Sequence, residues 1–287
     1  MMKKQLFLLA ALILSLTSLL WGDILLKNLK EGDRLGGFRV EALYLNGEDD
    51  PVGARFRHEA GTVVDYFQIQ TVPQAYLWFN TPPASDGGEP HTLEHVVLSK
   101  GNKGKYAAAL EEMSLGMSSA FTQQFRTSYS MNTSAGVDVF YSLLETKIDS
   151  LLFPDYSREE LRREVMNIGV KENPDGTLAV EEKGTIYAEM SSAFEKPNSL
   201  AFFRLTQNLF GQDDPRGRSS GGYPPAIRKA VPDDIITFHD RYYRTDNMGL
   251  ILVMPGEVPL GDALNRTDTI LKDKAAVPAS AVHPDDR

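Results

Sequence analysis

The stretch His91-Thr92-Leu93-Glu94-His95 carries the chemistry on which the interpretation of the chain depends. Its spacing predicts a helix with both histidines on one face, because residues four apart lie one turn above each other. Both imidazoles could therefore reach one metal ion. Glu94 follows His91 by three residues on the same side, where its carboxylate could hold a water molecule and accept a proton from it.

The pattern His-x-x-Glu-His reverses the His-Glu-x-x-His helix of zinc peptidases. Zinc binds nitrogen and oxygen ligands tetrahedrally, keeps one position for water, and lowers the pKa of that water to about 7. The chain has no cysteine, so histidine and carboxylate are the expected ligands. From these five residues alone, a surface helix with unrelated polar side chains is the alternative interpretation.

The composition is that of a folded globular protein: 287 residues, a formal net charge of -9 and 42% hydrophobic residues. The acidic charge, and the lack of basic clusters with interleaved aromatic residues, argue against a nucleic-acid partner. The absence of cysteine excludes disulfide stapling and a lipid-modified cysteine anchor.

The N-terminus has the pattern of a secretory signal. Lys3 and Lys4 precede an apolar run over residues 6–20, which is too short and too interrupted by polar residues for a comfortable membrane span. We therefore predict a signal peptide over residues 1–22 and export, to a periplasm or out of the cell, with an uncleaved membrane anchor as the alternative. Residues 23–257 are predicted to form one domain, and residues 258–287 the start of a linker or a truncated following segment.

Hydrophobic periodicity predicts both strands and helices in the main domain. Alternation over residues 36–79 and 118–133 indicates strands, and residues 173–176 carry a strong turn signal. Helical spacing occurs over residues 105–115, 136–152, 157–168, 181–196, 198–210 and 232–243.

Two further histidines and two carboxylates have plain structural interpretations. His58 is predicted to lie at a turn and His239 to pack within a helix, neither being a metal ligand. Glu182 and Glu189 lie seven residues apart on the predicted helix that begins at Glu181, two turns along one face. Spacing alone makes them solvated surface carboxylates.

Several motifs, in order, resemble the pitrilysin and insulin-degrading metallopeptidases, and within that family the presequence-protease branch. The similarity runs from residue 37 to about residue 256, and it resembles only the first, metal-binding domain of the family. The matching motifs lie at residues 56–59, 81–83, 91–95, 184–190, 220–224 and 238–243.

The resemblance implies an α+β fold in which helices pack on a mixed, largely antiparallel sheet. It also implies that His91, His95 and Glu189 bind one zinc ion per chain and that Glu94 is the catalytic base. Glu182 resembles a second acidic residue that supports the zinc ligands from behind. These roles come from the family pattern and not from spacing.

The resemblance also implies a binding edge for a peptide substrate. Ser119, Ala120 and Phe121 match the strand beside the zinc site, with serine at position 119 where relatives have asparagine. An extended peptide would add to this edge as a further strand.

Two functions are expected from the resemblance. The first is a zinc-dependent endopeptidase that hydrolyses extended or unfolded peptides. The alternative is a truncated or partner-dependent module that binds zinc and peptide without turnover of its own, because the family has four related domains that form two bowls around a chamber. A protein equivalent to the C-terminal half would then be its partner.

Overall fold

A computed structural model describes residues 24–275 of the chain. The predicted signal peptide, residues 1–22, lies outside the described residues. The ten strands are β1 (Arg34–Leu35), β2 (Phe38–Leu45), β3 (Pro51–His58), β4 (Val63–Gln68), β5 (Gln74–Asn80), β6 (Gly116–Thr122), β7 (Arg126–Thr133), β8 (Asn167–Glu172), β9 (Leu178–Lys183) and β10 (Met248–Met254).

The α-helices differ widely in length, from a single turn to 16 residues. They are α1 (Glu89–Ser99), α2 (Gly101–Met113), α3 (Val137–Leu152), α4 (Arg158–Val165), α5 (Thr185–Phe194), α6 (Pro197–Phe210), α7 (Pro224–Ile227), α8 (Pro232–Tyr242) and α9 (Leu260–Ala275). None of the helices within residues 24–275 is both long enough and apolar enough to cross a membrane.

Eight strands form one sheet in the order β1-β2-β3-β4-β10-β5-β7-β6. β10 lies parallel to β4 and antiparallel to β5, and the other neighbouring strands are antiparallel. β8 and β9 form a separate hairpin. The predicted α+β class, with a mixed and largely antiparallel sheet, is therefore confirmed.

The core lies between the sheet and the helices. On α1, the apolar side chains of Leu93, Val96 and Val97 are buried, while the two histidines of the helix are only partly covered. The helix contacts α2, α4, α8 and the edge strand β6. Burying one face of α1 in this way fixes the direction in which its polar face points.

The helix predicted from Glu181 begins instead at Thr185. Glu181 and Glu182 belong to β9, where Glu182 pairs with Ile168 of β8. Gly184 separates strand from helix: its φ is +125°, and a Cβ there would lie 2.6 Å from the Val165 carbonyl oxygen. The prediction that Glu182 and Glu189 share one helix face is therefore wrong.

The main core extends beyond the predicted domain boundary at residue 257. Helix α9 buries Leu260, Leu264 and Leu271 among the core residues, whereas residues 258–287 were predicted to be the start of a linker or a truncated following segment. The Tyr141 hydroxyl donates to the Ala263 carbonyl oxygen at 2.9 Å and ties α9 to α3. Apolar residues three or four apart among many polar ones make this helix amphipathic, a pattern that overall polarity conceals.

Shortening a buried side chain of α9 should destabilise the whole domain. We expect Leu264→Ala to lower the free energy of unfolding by about 2–5 kcal/mol, because Leu264 is fully buried. Urea denaturation followed by circular dichroism measures the change. Asn265→Ala, at the exposed neighbouring position, should stay within about 0.5 kcal/mol of the parent. Equal stability of the two variants would show that α9 does not belong to this core.

Candidate metal centre

Three side chains from two helices converge on one point. Glu189 of α5 approaches the histidine pair of α1, with its Oε2 atom 3.3 Å from His91 Nε2 and 3.8 Å from His95 Nε2. All three potential ligand atoms lie within 4.8 Å of one another. The structure thus brings together the three residues that the family pattern names as zinc ligands.

A close backbone approach positions the start of α1. Gly88 precedes the helix with a φ of +80°, and a Cβ there would lie 2.7 Å from the Gly221 carbonyl oxygen. The same carbonyl group accepts a hydrogen bond from His91 Nδ1 at 3.4 Å. The loop therefore holds one imidazole nitrogen and leaves Nε2 to face Glu189.

The second imidazole is oriented by a carboxylate that the sequence did not single out. Glu164 Oε1 lies 3.1 Å from His95 Nδ1, and Glu164 Oε2 lies 2.9 Å from Lys100 Nζ. Glu164 is buried on α4 beside Leu161 and Val165. The sequence did offer a signal for Glu164, since it is a carboxylate within the apolar stripe of a short helix. A carboxylate buried in this way requires a partner.

The surrounding groups shift the pKa values of the two histidines in opposite directions. Burial lowers the pKa of His91, and the neighbouring His95 adds to that effect. The hydrogen bond that His95 donates to Glu164 raises the pKa of His95, and the same bond, with Lys100, lowers the pKa of Glu164 to about 2. Because a metal ion binds the neutral imidazole and competes with protons for the same nitrogen, the affinity for metal should fall on acidification.

Glu182 makes its contacts away from the histidines. Its carboxylate accepts bonds from Arg228 at 2.6 and 2.8 Å and from the Tyr187 hydroxyl. Arg228, and then Tyr187, lower the pKa of Glu182 to about 2. The carboxylate that contacts His95 on its Nδ1 side, away from Glu189, is Glu164. Glu182 instead connects the hairpin to α5, the helix that carries Glu189.

Glu94 lies on α1 between the two histidines and has one direct side-chain partner. The Thr122 hydroxyl donates to Glu94 Oε2 at 2.6 Å. Thr122 ends β6, so this bond joins the expected base to the edge of the sheet. Thr122 was not predicted from the sequence, because a threonine within a strand gives no signal of such a role.

The expected peptide-binding residues lie on β6. Ser119 and Phe121 are exposed, whereas Ala120 is partly buried and packs against the core. β6 is the last strand of the described sheet and pairs with β7 on one side. The backbone groups on its other side are therefore available to another strand.

Two further histidines within residues 24–275 have structural partners. His58 is buried, lies 2.9 Å from Asp268 through Nε2 and accepts a bond from the Ala60 backbone through Nδ1. Asp268 is also paired with Lys272 at 2.9 Å. These bonds occupy both ring nitrogens of His58 within the cluster of His58, Glu59 and Asp268. His239 donates through Nε2 to the Leu151 carbonyl oxygen at 2.9 Å.

No family model matches the chain. Curated proteins of related sequence do match it, and they are much longer than this chain. Protein HypA of Clostridium perfringens is 27% identical over 237 residues, covering 80% of this chain and 24% of HypA. The mitochondrial presequence protease of Gibberella zeae is 27% identical over 257 residues, covering 85% of this chain and 24% of the protease. The chain therefore spans about a quarter of the length of these relatives.

Solved peptidase structures share the fold. Pitrilysin matches with a TM-score of 0.60 at 16% identity, over 83% of this chain and 24% of pitrilysin. An M16-like peptidase of Alicyclobacillus acidocaldarius matches with a TM-score of 0.59 at 16% identity, over 77% of this chain and 50% of the peptidase. The resemblance to a pitrilysin-like first domain of the presequence-protease branch is thereby confirmed.

Removing the charge behind His95 should weaken metal binding. We expect Glu164→Gln to lower the affinity for zinc by about 10- to 100-fold, because a neutral amide orients the imidazole without increasing its basicity. Competition with a chromophoric chelator measures this affinity. Glu159→Gln, an exposed change on the same helix, is the matched control and should leave the affinity unchanged. Equal zinc affinities for the two variants would show that Glu164 does not contribute to metal binding.

Proposed function

We propose that the chain is the metal-binding domain of a zinc endopeptidase that hydrolyses extended peptides, with Glu94 as the general base. The observation that carries the proposal is the convergence of His91, His95 and Glu189 within 4.8 Å beside Glu94. The peptidase relatives in sequence and fold support the same class of reaction.

The donor set suits zinc. Two imidazole nitrogens and one carboxylate are a common three-ligand set in catalytic zinc sites, and they leave a fourth position open. The carboxylate of Glu164 behind His95 fits the hydrogen bonding that usually orients such ligands. When bound, zinc supplies a Lewis acid that polarises a peptide carbonyl group and increases the acidity of water.

The residues of the chain then handle the proton. Thr122 holds one oxygen of Glu94, so the other oxygen can take a proton from the attacking water. Glu94 passes that proton to the amine that leaves when the peptide bond breaks. Removal of a positioned base or acid of this kind typically lowers the rate by about 100- to 10,000-fold.

The open edge of β6 supports an extended substrate. A peptide that adds to this edge makes hydrogen bonds through its backbone, so its extended shape is recognised more than its sequence. Glu94 contacts Thr122 of this same strand, which brings the scissile region close to the metal centre. Ser119 and Phe121 are proposed to contact the peptide, and export to a periplasm stays a prediction.

A second candidate function has its own support. The chain spans about a quarter of the length of its curated relatives, and a peptide added to β6 would be contacted by the sheet along one side only. Precise orientation of a substrate usually requires contacts from several directions. The second candidate is therefore a zinc- and peptide-binding module that hydrolyses peptides only with a protein equivalent to the C-terminal half.

Mutation should distinguish the role of the base in hydrolysis from the role of the ligands in zinc binding. We expect Glu94→Gln to retain one zinc ion per chain and to lose hydrolysis by about 100- to 10,000-fold, since only the proton acceptor is lost. His91→Ala should lose both zinc and hydrolysis. Metal content by mass spectrometry and cleavage of a quenched fluorescent peptide measure the two properties. Glu112→Gln, at an exposed site on α2, serves as the control. Hydrolysis by Glu94→Gln at the parental rate would contradict the mechanism.

Turnover by the isolated chain distinguishes the two candidates. If the chain is a complete catalytic unit, we expect it to cut the fluorescent peptide without any added protein. The dependent module is expected to bind zinc and peptide but to cut only after addition of a purified C-terminal-half protein, which supplies the missing contacts. A rate that does not change on addition of that protein contradicts the dependent module.

A further inference from the structure

β6 is the strand on which the proposed peptide binding depends, and it lies at one edge of the main sheet. Its seven residues pair with β7 alone within the described chain. Met117, Ser119 and Phe121 are exposed on one face, and Ser118 is exposed on the other. Edge strands open more readily than central strands, so a fixed binding edge needs additional bonds.

A buried ion pair lies beneath the first half of this strand. Lys147 of α3 places its Nζ atom 2.8 Å from Glu111 Oε1 of α2, and their side chains are 4% and 11% exposed. Removing both charges from water is costly, and an apolar pair of similar size is often no less stable. The pair is therefore weak evidence for added stability of the fold. It is better evidence that the positions of these two side chains are fixed.

The second oxygen of Glu111 reaches β6. The Ser118 hydroxyl donates to Glu111 Oε2 at 2.8 Å. Because Lys147 binds the other oxygen, the carboxylate cannot turn freely away from the strand. This bond spans the turn that leads from α2 into β6, in which Leu115 has a φ of +50°.

A second carboxylate holds the other end of the strand. Ser118 and Thr122 are four residues apart and point to the same face of the sheet. Thr122 donates to Glu94 as Ser118 donates to Glu111, so the helix layer holds β6 at two points. One of these carboxylates is the proposed base, and the other lies outside the metal centre.

We propose that the Glu111–Lys147 pair, acting through Ser118, is a positioning device that holds β6 in place for peptide addition. The inference rests on the proposed function, because that function makes β6 the peptide-binding strand. These three residues do not touch the reacting groups. They therefore set the affinity for peptide and leave the affinity for zinc unchanged.

Peptide affinity in a chain that cannot hydrolyse its ligand tests the inference. Fluorescence anisotropy with a short fluorescein-labelled extended peptide is measured on zinc-loaded Glu94→Gln protein. Adding Ser118→Ala should weaken binding by roughly tenfold, as expected for the loss of a hydrogen bond to a charged group. Ser118→Thr should restore binding because it keeps the hydroxyl. Ser142→Ala, an exposed change on the helix that carries Lys147, should bind as the parent does.

Two further measurements separate positioning from loss of structure. Replacing the pair by Lys147→Met with Glu111→Leu keeps the core apolar and filled, and should match Ser118→Ala in peptide affinity with normal zinc content. Hydrogen exchange of amides 116–122 should become faster in Ser118→Ala, while exchange in α1 stays the same.

The possible failures are distinguishable. If the zinc-loaded Glu94→Gln protein binds no peptide, the proposed function fails, and exchange in β6 alone then decides whether the pair holds the strand. If that protein binds peptide and Ser118→Ala binds equally well, with unchanged exchange in β6, the inference is overturned while the proposed function stands.

Discussion

Burial of one face of α1 is the constraint on which the metal centre depends. Leu93, Val96 and Val97 lie in the core, so the helix cannot rotate without exposing them. The polar face therefore presents both histidines in a fixed direction. Helical spacing alone would place two imidazoles together on any surface helix, whereas this packing directs them toward Glu189 of another helix.

The surrounding charges complement this packing. Glu164 and Lys100 form a partly buried pair behind His95, and the Gly221 carbonyl group holds His91. These bonds direct the same kind of nitrogen, Nε2, from both histidines toward one carboxylate. Orientation by neighbouring groups of this kind reduces the reorganisation that binding of a metal ion would otherwise require.

The sequence predicted local features better than contacts between distant segments. The histidine helix followed from a spacing of four residues, and the fold class followed from the family resemblance. Glu182 was placed on a helix because the break at Gly184 depends on a close approach to Val165, which no local pattern reveals. Glu164 was missed for a related reason, since it lies 69 residues from His95 in the sequence and only the fold brings the two together.

The central claim is that His91, His95 and Glu189 bind zinc for peptide hydrolysis. Anomalous diffraction at the zinc edge, from crystals of the chain purified without added chelator, tests the metal-binding part of that claim most directly. The account predicts one anomalous peak within bonding distance of all three side chains. A peak at His58 and Asp268 instead, or no peak at zinc concentrations that saturate related sites, would contradict it.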